Sequence, residues 1–193
     1  MSPKLEIRLE KKYMSEIFIK FVMVIIMISS IPARGQETNT LNHFKIDFFK
    51  VFNSSSGKLL ELAEVIPAED YDWRPTENVR SIKESLMHVA GTHYYLASKL
   101  EYPIPEDIDP GEFEKSSYTK SEIQKILIKS IKHIRSAIEN IKDKQLYDIV
   151  NFFGGKETKQ RVILQVGEHM AEHLGQMIVY ARMQNVTPPW SRN

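Results

Sequence analysis

Apolar residues recur every three or four positions along four long stretches of this chain, and that period limits what it can fold into more than any other feature. The first stretch runs from about Leu41 to Val65 with Phe44, Phe48, Phe52, Leu59, Leu62 and Ile66 on its apolar side. Ser54-Ser55-Ser56-Gly57 weakens it midway, and Pro67 closes it. Ser81 with Glu84 forms a capping box that opens the second, which ends near Leu100 ahead of Pro103 and Pro105. Thr119 and Glu122 repeat that signature before the third, which carries Ile123, Ile126, Leu127, Ser130, Ile134 and Ile138 and ends between Asn140 and Lys144. The fourth spans about Lys159 to Gln184, with Ile163, Val166, Met170, Leu174, Met177 and Ile178 along one side, and Asn185 and Pro188-Pro189 stop it. Such stripes are buried only against one another, and no strand series accompanies them, so the expected fold is all-α, a four-helix bundle. The piece "DIVNFFGGKETK" breaks the pattern and predicts a short hairpin or a lid at its Gly154-Gly155 turn. Trp73, Arg74 and Pro75, in the first linker, are expected to staple that linker to the bundle with Trp73 buried.

Residues 1–36 read differently from 37–193. A charged start, an apolar run from Phe21 to Ile31 and the small residues Ala33 and Gly35 have the layout of a secretory signal peptide cut after Gly35. The run is short of the about 20 residues of a membrane span, although a snorkelling Lys20 would stretch it into an uncleaved anchor. Met14 is an alternative start. The expected location is therefore outside the cytoplasm, periplasmic or secreted, with a membrane-anchored form as the alternative. With no cysteine at the cut, a lipoprotein is excluded.

The 193 residues suffice for one domain and an appended segment. Its 26 basic and 25 acidic residues nearly cancel, and no basic tract with interleaved aromatics occurs in 37–193, so nucleic acid is not an expected partner. The absence of cysteine removes disulfides, thiolate metal sites and a cysteine nucleophile together. Any metal must be held by His, Asp or Glu.

That restriction makes "GEHMAEHLGQ" the informative stretch. Positions four apart on a helix project about 40° apart, so His169 and His173 point the same way from the edge of the apolar stripe and can grip one cation. Gln176 shares their face. "HMAEH" also fits the H-x-x-E-H string of inverted zinc proteases, in which Glu172 would be the base. That reading needs a third ligand downstream, and the 20 residues after His173 contain neither an acid nor a histidine. A third ligand must come from upstream, from His88 or His93. The helical wheel favours His93, among Ile82, Val89, Leu96 and Leu100, over His88, among Ser85, Thr92 and Tyr95, but a histidine in apolar company is more often a satisfied core residue. On residues alone the choice stays open.

"YDWRPTENVRSIKESLMHVAGTHYYL", "FFGG" and "EHMAEHLGQMIVYARMQNVTPPWS" together resemble the DinB-like superfamily of metal-binding four-helix proteins, which is unrelated to the DNA polymerase sharing the label. The resemblance covers about Leu41 to Ser191. It implies that the ligands are His88, His169 and His173, and it returns His93, His43 and His133 to ordinary structural roles. It implies a divalent ion, with Zn, Ni, Fe and Mn all compatible with imidazoles, and an open coordination position.

Characterised members of that superfamily use low-molecular-weight thiols in transfer or isomerisation. The resemblance therefore implies a metal-dependent enzyme that activates a small nucleophile, thiol or water, for transfer or hydrolysis on a small-molecule substrate. Export would favour water, because such thiols are cytoplasmic. Glu172 is the candidate base and Gln176 the candidate to orient a histidine, with Thr92 and Tyr95 as further polar neighbours. The alternative is a non-catalytic metal-binding stress-response protein. A homodimer through an apolar helix face is compatible with the pattern.

Overall fold

The computed structural model describes residues 37–191, with side chains from His43 onward. The chain divides into two units, Met1–Thr40 and Leu41–Asn193. Of the first only the backbone at 37–40 is described, so the expected signal peptide or anchor at 1–36 lies outside the described residues. Among the described residues no helix is long and apolar enough to cross a membrane.

The four periodic stretches form α1 (Glu37–Val65), α2 (Ile82–Lys99), α3 (Lys120–Asn140) and α4 (Lys159–Met183). α1 begins earlier than the expected Leu41, because residues 37–40 are polar but contain no Gly or Pro to stop a helix. The serine-rich stretch does not break it either. Ser56 is buried there with its hydroxyl 3.4 Å from the Asn53 carbonyl, so it adds a side-chain bond to the turn it was expected to weaken. Both capping boxes form in full, at Ser81/Glu84 and Thr119/Glu122. Thr158 caps α4 by accepting from the Arg161 amide at 3.2 Å.

Side-chain contacts fix the helix directions. At the start of α3, Lys120 donates to the Glu64 and Ile66 carbonyls at the end of α1, while Arg135 reaches Asn53 further back, so α1 and α3 run antiparallel. The Lys83 amide bonds the Tyr71 carbonyl, which puts the start of α2 at that same end. His93 then meets Ser130 at 3.0 Å, each about ten residues into its helix, so α2 and α3 run parallel. A parallel pair cannot be joined by a tight turn. Residues 100–119 must cross back over the bundle, and this crossover brings side chains past the middle of α2. α4 runs antiparallel to α2: Lys159 at its start reaches Glu101 past the end of α2, at 2.5 Å, and Tyr180 near its end packs on Trp73.

The core lies between the stripes, with Phe52, Leu59, Leu86, Leu96, Leu127, Ile134, Ile163 and Met170 essentially out of solvent. Each such side chain contributes roughly 1.5–3 kcal/mol of transfer free energy, which makes the apolar stripes the main support of the bundle. Ile126 and Ile178, at the stripe edges, are only half-buried. Trp73 is also half-buried rather than buried, because it sits in a mostly exposed linker and packs against the core from outside.

The Phe-Phe-Gly-Gly piece forms a hairpin of β1 (Ile149–Phe152) and β2 (Gly155–Thr158), paired antiparallel. Its two turn residues, Phe153 at φ 45° and Gly154 at φ 81°, both adopt the left-handed conformation that matches strand twist. Val150 and Phe152 face the bundle. Lys159, immediately after the hairpin, has a side chain only 5% exposed and holds the first turn of α4 against the end of α2. That link fixes the register between the two helices that carry the histidines.

Candidate metal centre

His169 and His173, one turn apart on α4, face His88 on the antiparallel α2. The ligand atoms that these three residues offer all lie within 4.8 Å of one another, the one such cluster of metal-binding side chains among the described residues. His88 Nε2 and His169 Nε2 are 3.1 Å apart, close to the roughly 3.3 Å expected for two nitrogens on one tetrahedral ion. All three rings are half-buried.

The proton positions follow from what stands behind the rings. His88 Nδ1 lies 2.8 Å from Glu114 Oε1, and a carboxylate only accepts, so the His88 proton is on Nδ1 and its Nε2 lone pair faces the cluster. His173 Nδ1 lies 2.8 Å from Gln176 Oε1, and Gln176 Nε2 donates to the Tyr180 hydroxyl at 2.9 Å, so the amide oxygen is turned towards His173. Burial lowers the pKa of His173 despite that bond. His169 is driven to about 3, first by burial and then by His173, His88 and Arg80. Neutral imidazoles with converging lone pairs are the form a divalent cation requires, so the donor set fits a metal.

Glu114, which the sequence reading missed, sits on the crossover and also accepts from Arg80 Nε at 2.7 Å. Its burial opposes ionisation, but the bonds from Arg80 and His88 keep its carboxyl below the ordinary value. Nothing periodic marks a crossover residue. Arg80, also missed, immediately precedes the Ser81 cap of the helix that carries His88. Beside the cluster is a cleft of about 650 Å³, lined by Arg74, Glu77, Asn78, Val79, Arg80, Glu84, Glu114 and Gln176. Two of its walls are thus the groups that orient His88 and His173.

The remaining candidates are placed as follows. Glu172 is exposed on α4 and acts on His173 through its charge. Thr92 is half-buried, while Tyr95 is exposed and packs on Phe153 at the hairpin tip, 5.9 Å between ring centres. His93, the choice of the helical wheel, is indeed core: it is 1% exposed, bonded to Ser130 and outside the three-residue cluster. His133 lies between Tyr94 and Tyr102, and His43 is on the surface of α1.

Comparison with known proteins agrees with this geometry. Residues 52–177, well over half the chain, match the family described as the DinB superfamily. An uncharacterised protein of Bacillus subtilis, YjoA, is 24% identical over 126 residues, covering 63% of this chain and 79% of its own length. Among solved structures, a DinB-like protein from Bacillus cereus superposes with a TM-score of 0.65 at 17% identity, over 74% of this chain and 93% of that one. YfiT from Bacillus subtilis, described as a probable metal-dependent hydrolase with an unusual four-helix bundle topology, gives 0.59 at 15% identity, over 74% of this chain and 89% of that one. At these identities the structural likeness speaks for the fold.

Proposed function

The chain belongs to the DinB superfamily, and from that premise we propose that it is a divalent-metal-dependent enzyme. In this reading His88, His169 and His173 hold the ion, and a small nucleophile, water before thiol, is directed onto an electrophilic substrate in the adjoining cleft. The observation that carries the reading is the convergence of three imidazoles whose ligand atoms lie within 4.8 Å, with the tautomers of His88 and His173 fixed from behind. Three protein ligands leave room for a further group, as in catalytic rather than closed structural sites. A bound Zn, Ni, Fe or Mn ion would supply Lewis acidity that makes water or a thiol nucleophilic near neutral pH.

The chain's own residues supply the rest. Glu114 and Gln176 hold two of the rings in the orientation the ion needs. Arg80, which acts electrostatically on His169 and His173, places a positive charge at the cleft wall, suited to negative charge developing on the substrate. Glu172, exposed beside His173, is the candidate to take the nucleophile's proton. The description of YfiT as a probable metal-dependent hydrolase supports water, as does the export expected from residues 1–36.

Elemental analysis of the full chain tests this, with wild type beside His88→Ala, His169→Ala and His93→Ala. One metal per chain in wild type and His93→Ala, lost in the other two, is expected, followed by hydrolysis of activated esters or amides that a chelator abolishes. A folded wild type that takes up no metal after reconstitution would sink the proposal. Stoichiometric metal without turnover of water- or thiol-dependent substrates would favour the non-catalytic alternative.

A further inference from the structure

A second pocket lies where the crossover passes α3, and it shares no lining residue with the metal centre or its cleft. Its volume of about 360 Å³ falls within the roughly 300–1,000 Å³ of ordinary small-molecule sites. The crossover supplies one wall, α3 the other, and the buried Tyr94 of α2 closes it between them. The crossover wall is held in place by its own turn, in which the Ile108 amide donates to the Pro105 carbonyl at 3.0 Å. It also lies so close to α2 that a Cβ on Gly91 would stand 3.2 Å from the Pro110 carbonyl oxygen.

The lining combines an apolar side with unpaired polar groups. Pro105, Ile108 and the Tyr102 ring provide the apolar surface. His133 stands between Tyr94 and Tyr102, with ring centres 4.6 and 4.9 Å away. Burial lowers its pKa, so the imidazole is neutral and has one donor and one acceptor nitrogen. Among the described residues neither nitrogen has a hydrogen-bond partner, and Nε2 is out of solvent. A half-buried imidazole that bonds to nothing is unusual in a folded protein.

Charge is arranged on the same pocket. Lys129 and Lys132, three apart on α3, share one face of the helix, and among the described residues neither forms an ion pair. Asp107 lies opposite on the crossover, and its charge adds to burial in raising the pKa of Tyr94. Two lysines against one aspartate leave a single positive charge, which suits a monoanion better than a dianion.

We propose that this pocket is a second ligand site, for a small monocarboxylate with a flat apolar body. The carboxylate meets Lys129 and Lys132, the body lies against Pro105, Ile108 and the Tyr102 ring, and the occupant supplies the hydrogen-bond partner that His133 lacks. The inference does not depend on the three-histidine reading, and it gives His133 a role beyond packing.

The test uses the full chain loaded with zinc and benzoate as the probe, read by long-range proton–nitrogen NMR of the histidine rings. Benzoate should shift the His133 signals saturably. Benzyl alcohol, which has the body without the charge, and inorganic phosphate, which has charge without the body, should each bind more weakly. Lys129→Gln and Lys132→Gln, both on the exposed face of α3, should each weaken benzoate about two- to fivefold, and the double variant should bind benzoate no better than benzyl alcohol. No saturable shift at His133 overturns the proposal. So do benzoate shifts confined to His88, His169 and His173, which would put the carboxylate on the metal, and phosphate binding equal to benzoate, which would reduce the site to diffuse attraction of anions. A chain that takes up no zinc yet shifts at His133 with benzoate supports the pocket and overturns only the metal reading.

Discussion

Glu114 and His88 meet carboxylate to Nδ1 at 2.8 Å, although one lies on an irregular crossover and the other on a helix 26 positions earlier. The contact exists because α2 and α3 run parallel, which forces the chain back over the bundle between them. Arg80 holds the other carboxylate oxygen at 2.7 Å, so the acceptor is itself oriented. A carboxylate behind a ligating imidazole fixes the tautomer and raises ligand basicity. Glu114→Ala should therefore weaken zinc binding about 10- to 100-fold, with Glu114→Gln intermediate because it keeps an oxygen but loses the charge. Competition titration measures both, and an affinity equal to wild type in Glu114→Ala would remove Glu114 from the centre.

Gln176 does the corresponding work for His173, and Tyr180 supports it by taking its amide hydrogen at 2.9 Å. Tyr180→Phe should leave the fold intact and cost about 1 kcal/mol at the metal, roughly fivefold in affinity, the worth of one ordinary hydrogen bond. Gln176→Ala should cost more, since His173 then loses its acceptor. The same titration ranks them, and Tyr180→Phe weaker than Gln176→Ala would contradict the relay.

His93 contributes to the acid limb of stability alongside His169. Its pKa falls from 6.5 to about 3 on folding, so between those values the unfolded chain binds a proton that the folded chain refuses. Its contribution is present in full above pH 6.5 and is lost as pH falls towards 3, at about 1.4 kcal/mol per pH unit for one proton. Urea unfolding of the metal-free protein at several pH values should show a slope steeper than one proton, because His169 refuses its proton over the same range, and His93→Phe should flatten it by one proton. An unchanged slope in the variant would mean that His93 is already charged in the fold.

The helices, both capping boxes and the hairpin were legible because each is a local signal: a period of 3.6, a Ser or Thr three before a Glu, a pair of glycines, although the turn falls on Phe153-Gly154 and not on the expected Gly154-Gly155, which is split between turn and strand. His169 and His173 were legible as a pair for the same reason. His88 against His93 was not, since both lie on α2 and the wheel tells only which face is apolar. It correctly put His93 in the core, and for that reason pointed away from the cleft. The family resemblance named His88, the histidine that the structure places beside His169 and His173. Glu114 and Arg80 carry no pattern, because their positions depend on a helix direction that periodicity does not encode.

Phe153 is the residue that local rules would not have chosen. A hairpin turn with left-handed φ at both positions calls for Asn or Gly, and a bulky side chain at φ 45° is strained by about 1–2 kcal/mol. The ring is 72% exposed, so little burial offsets that strain; what it does have is Phe152, 4.4 Å away between centres, and Tyr95 on the His88 side of α2. If the backbone term dominates, Phe153→Asn should raise the melting temperature by about 2–4 °C, the shift that about 1 kcal/mol produces in a domain of this size. Differential scanning calorimetry distinguishes the cases. A fall instead of a rise would mean that the stack on Tyr95 outweighs the turn, and Tyr95→Ala should then lower the melting temperature in wild type while changing nothing in Phe153→Asn.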